Sequence, residues 1–185
     1  MADFPPRGSQ PALPLHVRAY TLGLGLEAQT LANFSQGPPN TTTWVVNLVQ
    51  YNPVSLLYDY PVSRVWWTNG GTVTTTNVDF GIYTADGTRI YNTGSTTMVG
   101  VTSVQYVTPT AFVLPAGAYY FAWTCDNTTG RAQTYSGSSA LASQMVGLLE
   151  ETTGAFGLPA TMTPVSFTRA WGYNSCGLTR TTTGF

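Results

Sequence analysis

Apolar and polar residues alternate along much of the chain after residue 43, with the two-residue period of β-strands. The clearest case is NVDFGIYTADGTRIYNTGST, residues 77–96, in which Val78, Phe80 and Ile82 alternate with polar or small neighbours. Asp86 and Gly87 then supply the residues that a tight hairpin turn needs. This stretch therefore predicts two antiparallel strands joined by a turn.

Further strand-like segments follow at short spacing and are separated by turns that contain Pro or Gly. In the segment TAFVLPAGAYYFAWTC, Tyr119, Phe121 and Trp123 share one face of the predicted strand. Strands separated by turns at intervals of roughly 8–12 residues are typical of an antiparallel sandwich or barrel. The pattern predicts an all-β fold, namely an antiparallel β-sandwich of jelly-roll type, with TPVSFTRAWGYNSCGL as its last strand.

Only the segment SSALASQMVGLLEET has helical spacing, with Leu141, Met145 and Leu148 on one face. We expect it to form a short connecting helix packed on the sheet. Glu150 and Glu151 would end this helix and lie in solvent, because a carboxylate gains nothing from the dipole at a helix C-terminus.

Residues 1–42 differ from the rest because prolines recur at both ends of this segment. Prolines are excluded from sheet interiors and favour extended chain. The segment is either an unstructured tail or an extended arm that docks on a neighbouring protein, followed by a sandwich domain at residues 43–185. Its apolar residues are the reason to consider an arm, and both interpretations stay open. The candidate partner contacts are Phe4, Arg7, Leu15, Arg18 and Tyr20 in the arm, and Trp66 in the sandwich.

Charge is scarce, since charged residues make up 8% of the chain against roughly 25% in an average soluble domain. The net charge of −1 provides no basic surface for nucleic acid or for a lipid headgroup, and no segment is apolar for long enough to span a membrane. The N-terminus MADFPPRGSQ lacks the apolar region of a signal peptide, so we expect synthesis in the cytoplasm without export by the usual route.

Residues suited to catalysis are few. His16 is the only histidine, and the acidic residues show no spacing typical of a paired-carboxylate site. Asp126 and Asn127 have two interpretations, a calcium ligand pair or a turn cap, and the single acidic residue favours the cap. Cys125 and Cys176 are predicted to be buried free thiols. The sequence therefore predicts no catalytic, cofactor-binding or metal site, and a protein that is not an enzyme.

Aromatic residues are abundant and sometimes adjacent, as in Trp66-Trp67 and Tyr119-Tyr120. A strand points such neighbours to opposite faces, so one ring of each pair faces away from the core. Three interpretations of the outward rings stay open: cover by connecting segments, burial in a subunit contact, and a platform that stacks on sugars. Trp66 is the first candidate for the sugar platform.

Four stretches also resemble a known module: YDYPVSRVWW (58–67), NVDFGIYTADGTRIYNTGST (77–96), LPAGAYYFAWTCDNTTGR (114–131) and GLPATMTP (157–164). In this order they are similar to the β-sandwich module of small structural proteins of tailed bacteriophages, which decorate the head (cement proteins) or form head fibres or tail appendages. The resemblance covers roughly residues 44–175 and leaves out the N-terminal arm.

The resemblance implies a virion component without catalytic residues or cofactors. Its expected partners are the major capsid protein, other virion subunits and copies of itself, with a homotrimer favoured. The function that it implies is capsid decoration, in which the arm docks on the shell and stabilises it. The alternative is a carbohydrate-binding module of the tail or a fibre, which would contact a host surface glycan during adsorption.

Overall fold

The computed structural model describes residues 28–29, 40–134, 140–145, 147–169 and 175–180. Nearly all the regular structure in these residues is β-strand, and one short helix precedes β13. The elements are β1 (Ala28–Gln29), β2 (Asn40–Thr43), β3 (Leu48–Leu56), β4 (Tyr60–Val62), β5 (Arg64–Thr68), β6 (Asn77–Thr84), β7 (Arg89–Asn92), β8 (Thr96–Thr97), β9 (Val104–Val107), β10 (Phe112–Leu114), β11 (Gly117–Cys125), β12 (Arg131–Thr134), α1 (Ala140–Met145), β13 (Leu149–Thr152), β14 (Val165–Ser166) and β15 (Cys176–Thr179).

Two antiparallel sheets pack face to face. The large sheet has the order β14-β13-β3-β11-β6-β7, with β8 also paired to β6, and the small sheet has the order β1-β15-β5-β9. Two further sheets have two strands each, namely β10-β4 and β12-β2. The chain passes from β3 in the large sheet to β5 in the small sheet and back to β6, so neighbouring strands are distant in sequence. These crossings differ from a simple meander, and the prediction of an all-β antiparallel sandwich is confirmed, while the jelly-roll type stays a prediction.

The core lies between the inner faces of the two sheets, where alternate residues of each strand meet. Phe80 and Phe121 of the large sheet and Trp67 of the small sheet are buried there. Trp123 packs edge-on against Trp44, with ring centroids 4.4 Å apart. The predicted alternation along β11 is confirmed, since its odd-numbered aromatic residues belong to this core. Burial of these large rings is the main source of stability for a fold of this kind.

The hairpin predicted at residues 77–96 is confirmed as β6 and β7. Gly87 adopts φ +88°, and the Thr84 N–H donates to the carbonyl of Thr88 at 2.9 Å. The Asp86 carboxylate accepts the Thr88 N–H at 3.1 Å and closes the turn. This hairpin forms one edge of the large sheet.

The predicted helix is shorter than expected. It ends at Met145, Gly147 follows with φ +80°, and the next residues form strand β13 beside β3. The expectation that Glu150 and Glu151 lie in solvent is wrong for Glu150, which is 6% exposed, and Glu151 accepts hydrogen bonds within the protein. Helical spacing in this stretch is overridden because pairing with β3 satisfies the backbone of a sheet edge.

Parts of the predicted arm belong to the sheets. Ala28 and Gln29 pair with β15, and β2 begins at Asn40, so the boundary drawn before residue 43 falls inside β2. The stretch predicted as the last strand contains two strands, β14 and β15, and residues 170–174 between them lie outside the described residues.

Gly81 lies at a close approach on the outer face of β6. A Cβ added there would lie 2.5 Å from Leu158 Cδ1 and 3.0 Å from the carbonyl oxygen of Tyr91. We expect Gly81→Ala to lower the free energy of unfolding by about 1–3 kcal/mol, because one neighbour must move. Urea denaturation measures the change. Gly154→Ala is the control, since nothing lies within 4 Å of its added Cβ; equal effects of the two variants would contradict the prediction.

Candidate functional site

Residues 157–164, here called the strap, cross the outer face of the large sheet. At the hairpin the Arg89 N–H donates to the carbonyl of Ala160, and the Met162 N–H donates to that of Gly87, both at 2.9 Å. Thr163 donates from its N–H and its hydroxyl to the Glu151 carboxylate, at 3.0 and 2.8 Å. The strap therefore joins the β6–β7 hairpin to β13 on the other side of the sheet.

Two tyrosines lie beneath the strap. Tyr51 and Tyr83 are fully buried and pack edge-to-face with ring centroids 5.3 Å apart. The Tyr83 hydroxyl donates to the carbonyl of Pro159 at 2.6 Å, and the Tyr51 hydroxyl donates to Glu151 at 2.7 Å. Burial is the main cause that raises the pKa of both hydroxyls above the ordinary value. For these two rings, the interpretation that connecting segments cover outward aromatics is confirmed.

Asp79 anchors the middle of the strap. Its carboxylate is buried, 2% exposed, and accepts the Leu158 N–H at 3.1 Å. It also accepts hydrogen bonds from the Asn92 amide at 3.1 Å and the Thr93 hydroxyl at 3.3 Å. Donors inside the protein thus surround this carboxylate, which fits a structural role and leaves little access for a substrate.

The Asp126–Asn127 loop is a turn cap, as favoured from the sequence. Asn127 Oδ1 accepts the N–H groups of Thr129 at 2.8 Å and Gly130 at 3.0 Å. Asp126 accepts the backbone N–H of Asn77 at 2.9 Å and its side-chain amide at 2.7 Å. Oxygens that already accept N–H donors are poorly placed to bind a cation. In the part of the chain that the structure describes, no group of three or more His, Cys, Asp or Glu residues is arranged to hold a metal ion.

Cys125 and Cys176 are buried thiols outside any disulfide, which confirms the prediction. Burial raises the pKa of the Cys125 thiol to about 12. Because the thiolate is the nucleophilic form, this thiol is inert at neutral pH.

The residues predicted as partner contacts fall in two places. Trp66 is on β5, between Tyr106 of β9 and Gly177 of β15, and it faces away from the core. It is 3% exposed, so the expectation of an exposed ring is wrong, although its role as a partner contact stays a prediction. The remaining candidates lie outside the described residues: Phe4, Arg7, Leu15, Arg18 and Tyr20.

Exposed tryptophan is absent from the described residues. Besides Trp66, the rings of Trp44, Trp67 and Trp123 are buried, and Trp171 lies outside those residues. A sugar platform needs an accessible ring face on which the sugar can stack. Within the described ranges, the tryptophans therefore lend no support to the carbohydrate-binding alternative.

Four exposed valines form a surface that the sequence interpretation missed. This edge patch comprises Val99, Val101, Val104 and Val113, whose side chains are between 41% and 60% exposed. The patch follows β9 and β10, which run beside β5 and β4, and includes the loop before β9. Its signal in the sequence is the uncharged run from Ile90 to Cys125. The exposed ring of Tyr106 lies between Val104 and Val113, and the Arg64 guanidinium lies over it at 4.1 Å. Exposed apolar side chains along a sheet edge are typical of a protein–protein contact.

The four stretches that carry the phage resemblance come together in the fold. β10 pairs with β4, β11 pairs with β6, and the strap binds the β6–β7 hairpin. They therefore form one connected part of the sandwich, although they are spread over about a hundred residues of chain.

Comparison with known proteins adds no relative: no protein-family model and no curated protein matches this chain. Among the described residues, no helix has the length and apolar character required to cross a membrane.

Proposed function

We propose that this chain is a non-enzymatic structural protein of a bacteriophage particle. In this proposal it is a capsid decoration protein that docks on the major capsid protein through its N-terminal arm and stabilises the shell. The observation that carries the proposal is the edge patch, an exposed apolar surface on a sandwich with very few charges. A protein that diffuses alone usually covers such a surface with charge, whereas a subunit of an assembly buries it.

The use of the polar residues supports a structural role. Asp79, Asp126 and Glu151 all accept hydrogen bonds that fix loops or the strap. Carboxylates engaged in this way hold the fold and are not set up for acid–base chemistry. The resemblance supports the location on a particle and the assembly of copies into a homo-oligomer, a trimer being favoured.

Particle labelling tests the location. Purified source particles are incubated with gold-labelled antibody against this chain and imaged by electron microscopy. We expect gold over the whole head. Gold confined to the tail would contradict decoration and favour the carbohydrate-binding alternative, which a glycan panel would then test. Particles without gold would overturn the virion proposal.

Truncation tests the docking arm. Deletion of residues 1–26 retains β1 and β2, so the sandwich keeps every described strand. We expect the truncated protein to keep the circular dichroism spectrum of the full chain. It should lose binding to particles from which this protein is absent. Deletion of residues 181–185 is the control truncation and should leave binding intact. Normal binding after the N-terminal deletion would contradict the role of the arm.

A further inference from the structure

The outer face of the small sheet is covered on one side and open on the other. Among its outward side chains, Thr179 of β15 is 2% exposed and Trp66 of β5 is 3% exposed, whereas Tyr106 of β9 is 45% exposed. The strand register places Gly177, Trp66 and Tyr106 in one row and Thr179 beside Arg64 in the next. Burial of this face therefore decreases from the edge at β1 to the edge at β9.

The side chains of the face itself account for only part of this cover. Tyr106 flanks Trp66 on one side, and the Arg64 guanidinium lies over the Tyr106 ring. On the other side Gly177 offers no side chain, yet it is buried. Among the described strands and the described helix, β5 has its extensive contacts with its sheet neighbours β9 and β15. Another segment therefore lies over β15 and β5.

We propose that residues 13–26 of the same chain, here called the cover segment, lie across the outer face of β15 and β5 and shield Trp66. This inference goes beyond the proposed function, because it concerns the free protein and needs no particle. Residues 1–12 and the far side of the cover segment remain for a partner.

The chain enters the small sheet beside the covered strip. β1 is the edge strand, with Gln29 opposite Gly177. Because this pairing is antiparallel, the chain before Ala28 leaves on the side of the buried Thr179. Trp66 lies two strand spacings from β1, which is roughly 10 Å. An extended cover segment spans roughly 45 Å and is long enough to cross this strip.

The sequence of the cover segment suits an apolar surface. LPLHVRAYTLGLGL contains a single charged residue, Arg18. Its apolar residues alternate with other residues at the period of a strand, so that several of them share a face. Packing of that face against the Trp66 ring removes apolar surface of both from water, which is favourable. Residues 1–12 lack leucine, whereas the cover segment has five: Leu13, Leu15, Leu22, Leu24 and Leu26.

The connection at residues 30–39 is a poorer candidate for the cover. It begins after Gln29 and ends at β2, whose partner strand β12 accepts the Ser175 N–H at the Gln133 carbonyl. Both of its ends thus lie toward the Ser175 end of β15, whereas Thr179 lies at the opposite end. This connection would have to run along the strip and return.

Hydroxyl-radical footprinting of the full-length chain, read by mass spectrometry, tests the cover. We expect Trp66 to be oxidised slowly in the full chain and several-fold faster after deletion of residues 1–26. Trp67 lies in the core, 1% exposed, and should stay protected in both proteins if the sandwich remains folded. Deletion of residues 1–12 is the matched control and should leave Trp66 protected.

A second variant keeps the length of the chain. Leu22→Ser with Leu24→Ser should also raise the oxidation rate of Trp66, to a smaller extent than the deletion. If the deletion exposes Trp67 as well, this variant decides, and unchanged oxidation of Trp66 in it would overturn the inference.

Three other results would also overturn the inference. The first is unchanged protection of Trp66 after deletion of residues 1–26, which would assign the cover to residues 30–39. The second is exposure of Trp66 after deletion of residues 1–12 alone. The third is protection in the full chain that falls on dilution, which would assign the cover to a second copy.

Discussion

Replacement of Asp79 by alanine is expected to lower the free energy of unfolding by about 3 kcal/mol. The buried carboxylate accepts the Leu158 N–H and the side-chain donors of Asn92 and Thr93. Without it, the Leu158 N–H would lie in the protein without an acceptor, which is costly. Urea denaturation followed by tryptophan fluorescence measures the loss.

Two further substitutions separate the loss of the buried acceptor at Asp79 from the general effect of removing a carboxylate. Asp79→Asn keeps the shape but replaces one acceptor oxygen by a donor, so we expect an intermediate loss. Asp59→Ala is the control, because this exposed carboxylate accepts only the Ala116 N–H among the described contacts. A loss for Asp79→Ala no larger than that for Asp59→Ala would contradict the role of Asp79 as the anchor of the strap.

Alkaline solution is expected to destabilise the protein steeply above about pH 10. Tyr51 and Tyr83 have pKa values raised above the ordinary 10.0, mainly by burial. The folded state therefore retains protons that the unfolded state releases, so the contribution of these tyrosines to stability is complete below pH 10 and falls as the pH rises further. The Cys125 thiol adds to the loss from about pH 9, because its folded pKa is about 12. By pH 12 the two tyrosines together should contribute a loss of about 3 kcal/mol, after allowance for partial solvation.

Urea denaturation at a series of pH values measures this dependence. The double variant Tyr51→Phe with Tyr83→Phe removes both ionisable hydroxyls, and its stability should fall less steeply over the same range. It also loses two hydrogen bonds, so its stability at neutral pH should be lower. The decisive quantity is therefore the slope of stability against pH, and not the stability at neutral pH. Identical slopes for the two proteins would contradict the assignment of the alkaline loss to these two hydroxyls.

The sheets were predictable because local patterns specify them. Alternation along β6 and β11, together with the Asp86-Gly87 turn, is enough to place strands and to say which residues share a face. The helix was predictable only in part, since pairing of Glu150 and Glu151 with β3 is a contact across about a hundred residues of chain. A local pattern carries no information about such a partner.

Which segments cover the outer face of each sheet was not predictable. Alternation shows that Tyr83 and Trp66 point away from the core, but exposure depends on segments that cross the sheet from elsewhere. The strap reaches Tyr83 from 76 residues further along the chain. The edge patch had a sequence signal, the uncharged run that contains Val101 and Val104, and its meaning depended on knowing that β9 and β10 lie on one side of a sandwich.

The strap is expected to form late when the chain folds. Its contacts join Asp79 to Leu158 and Tyr83 to Pro159, across 79 and 76 residues. The strap packs on the outer face that β3, β6 and β11 form together, so we expect it to dock after these strands have paired. Contacts made after the transition state slow unfolding and leave the folding rate unchanged. The strap thus sets how long the folded protein lasts before it unfolds.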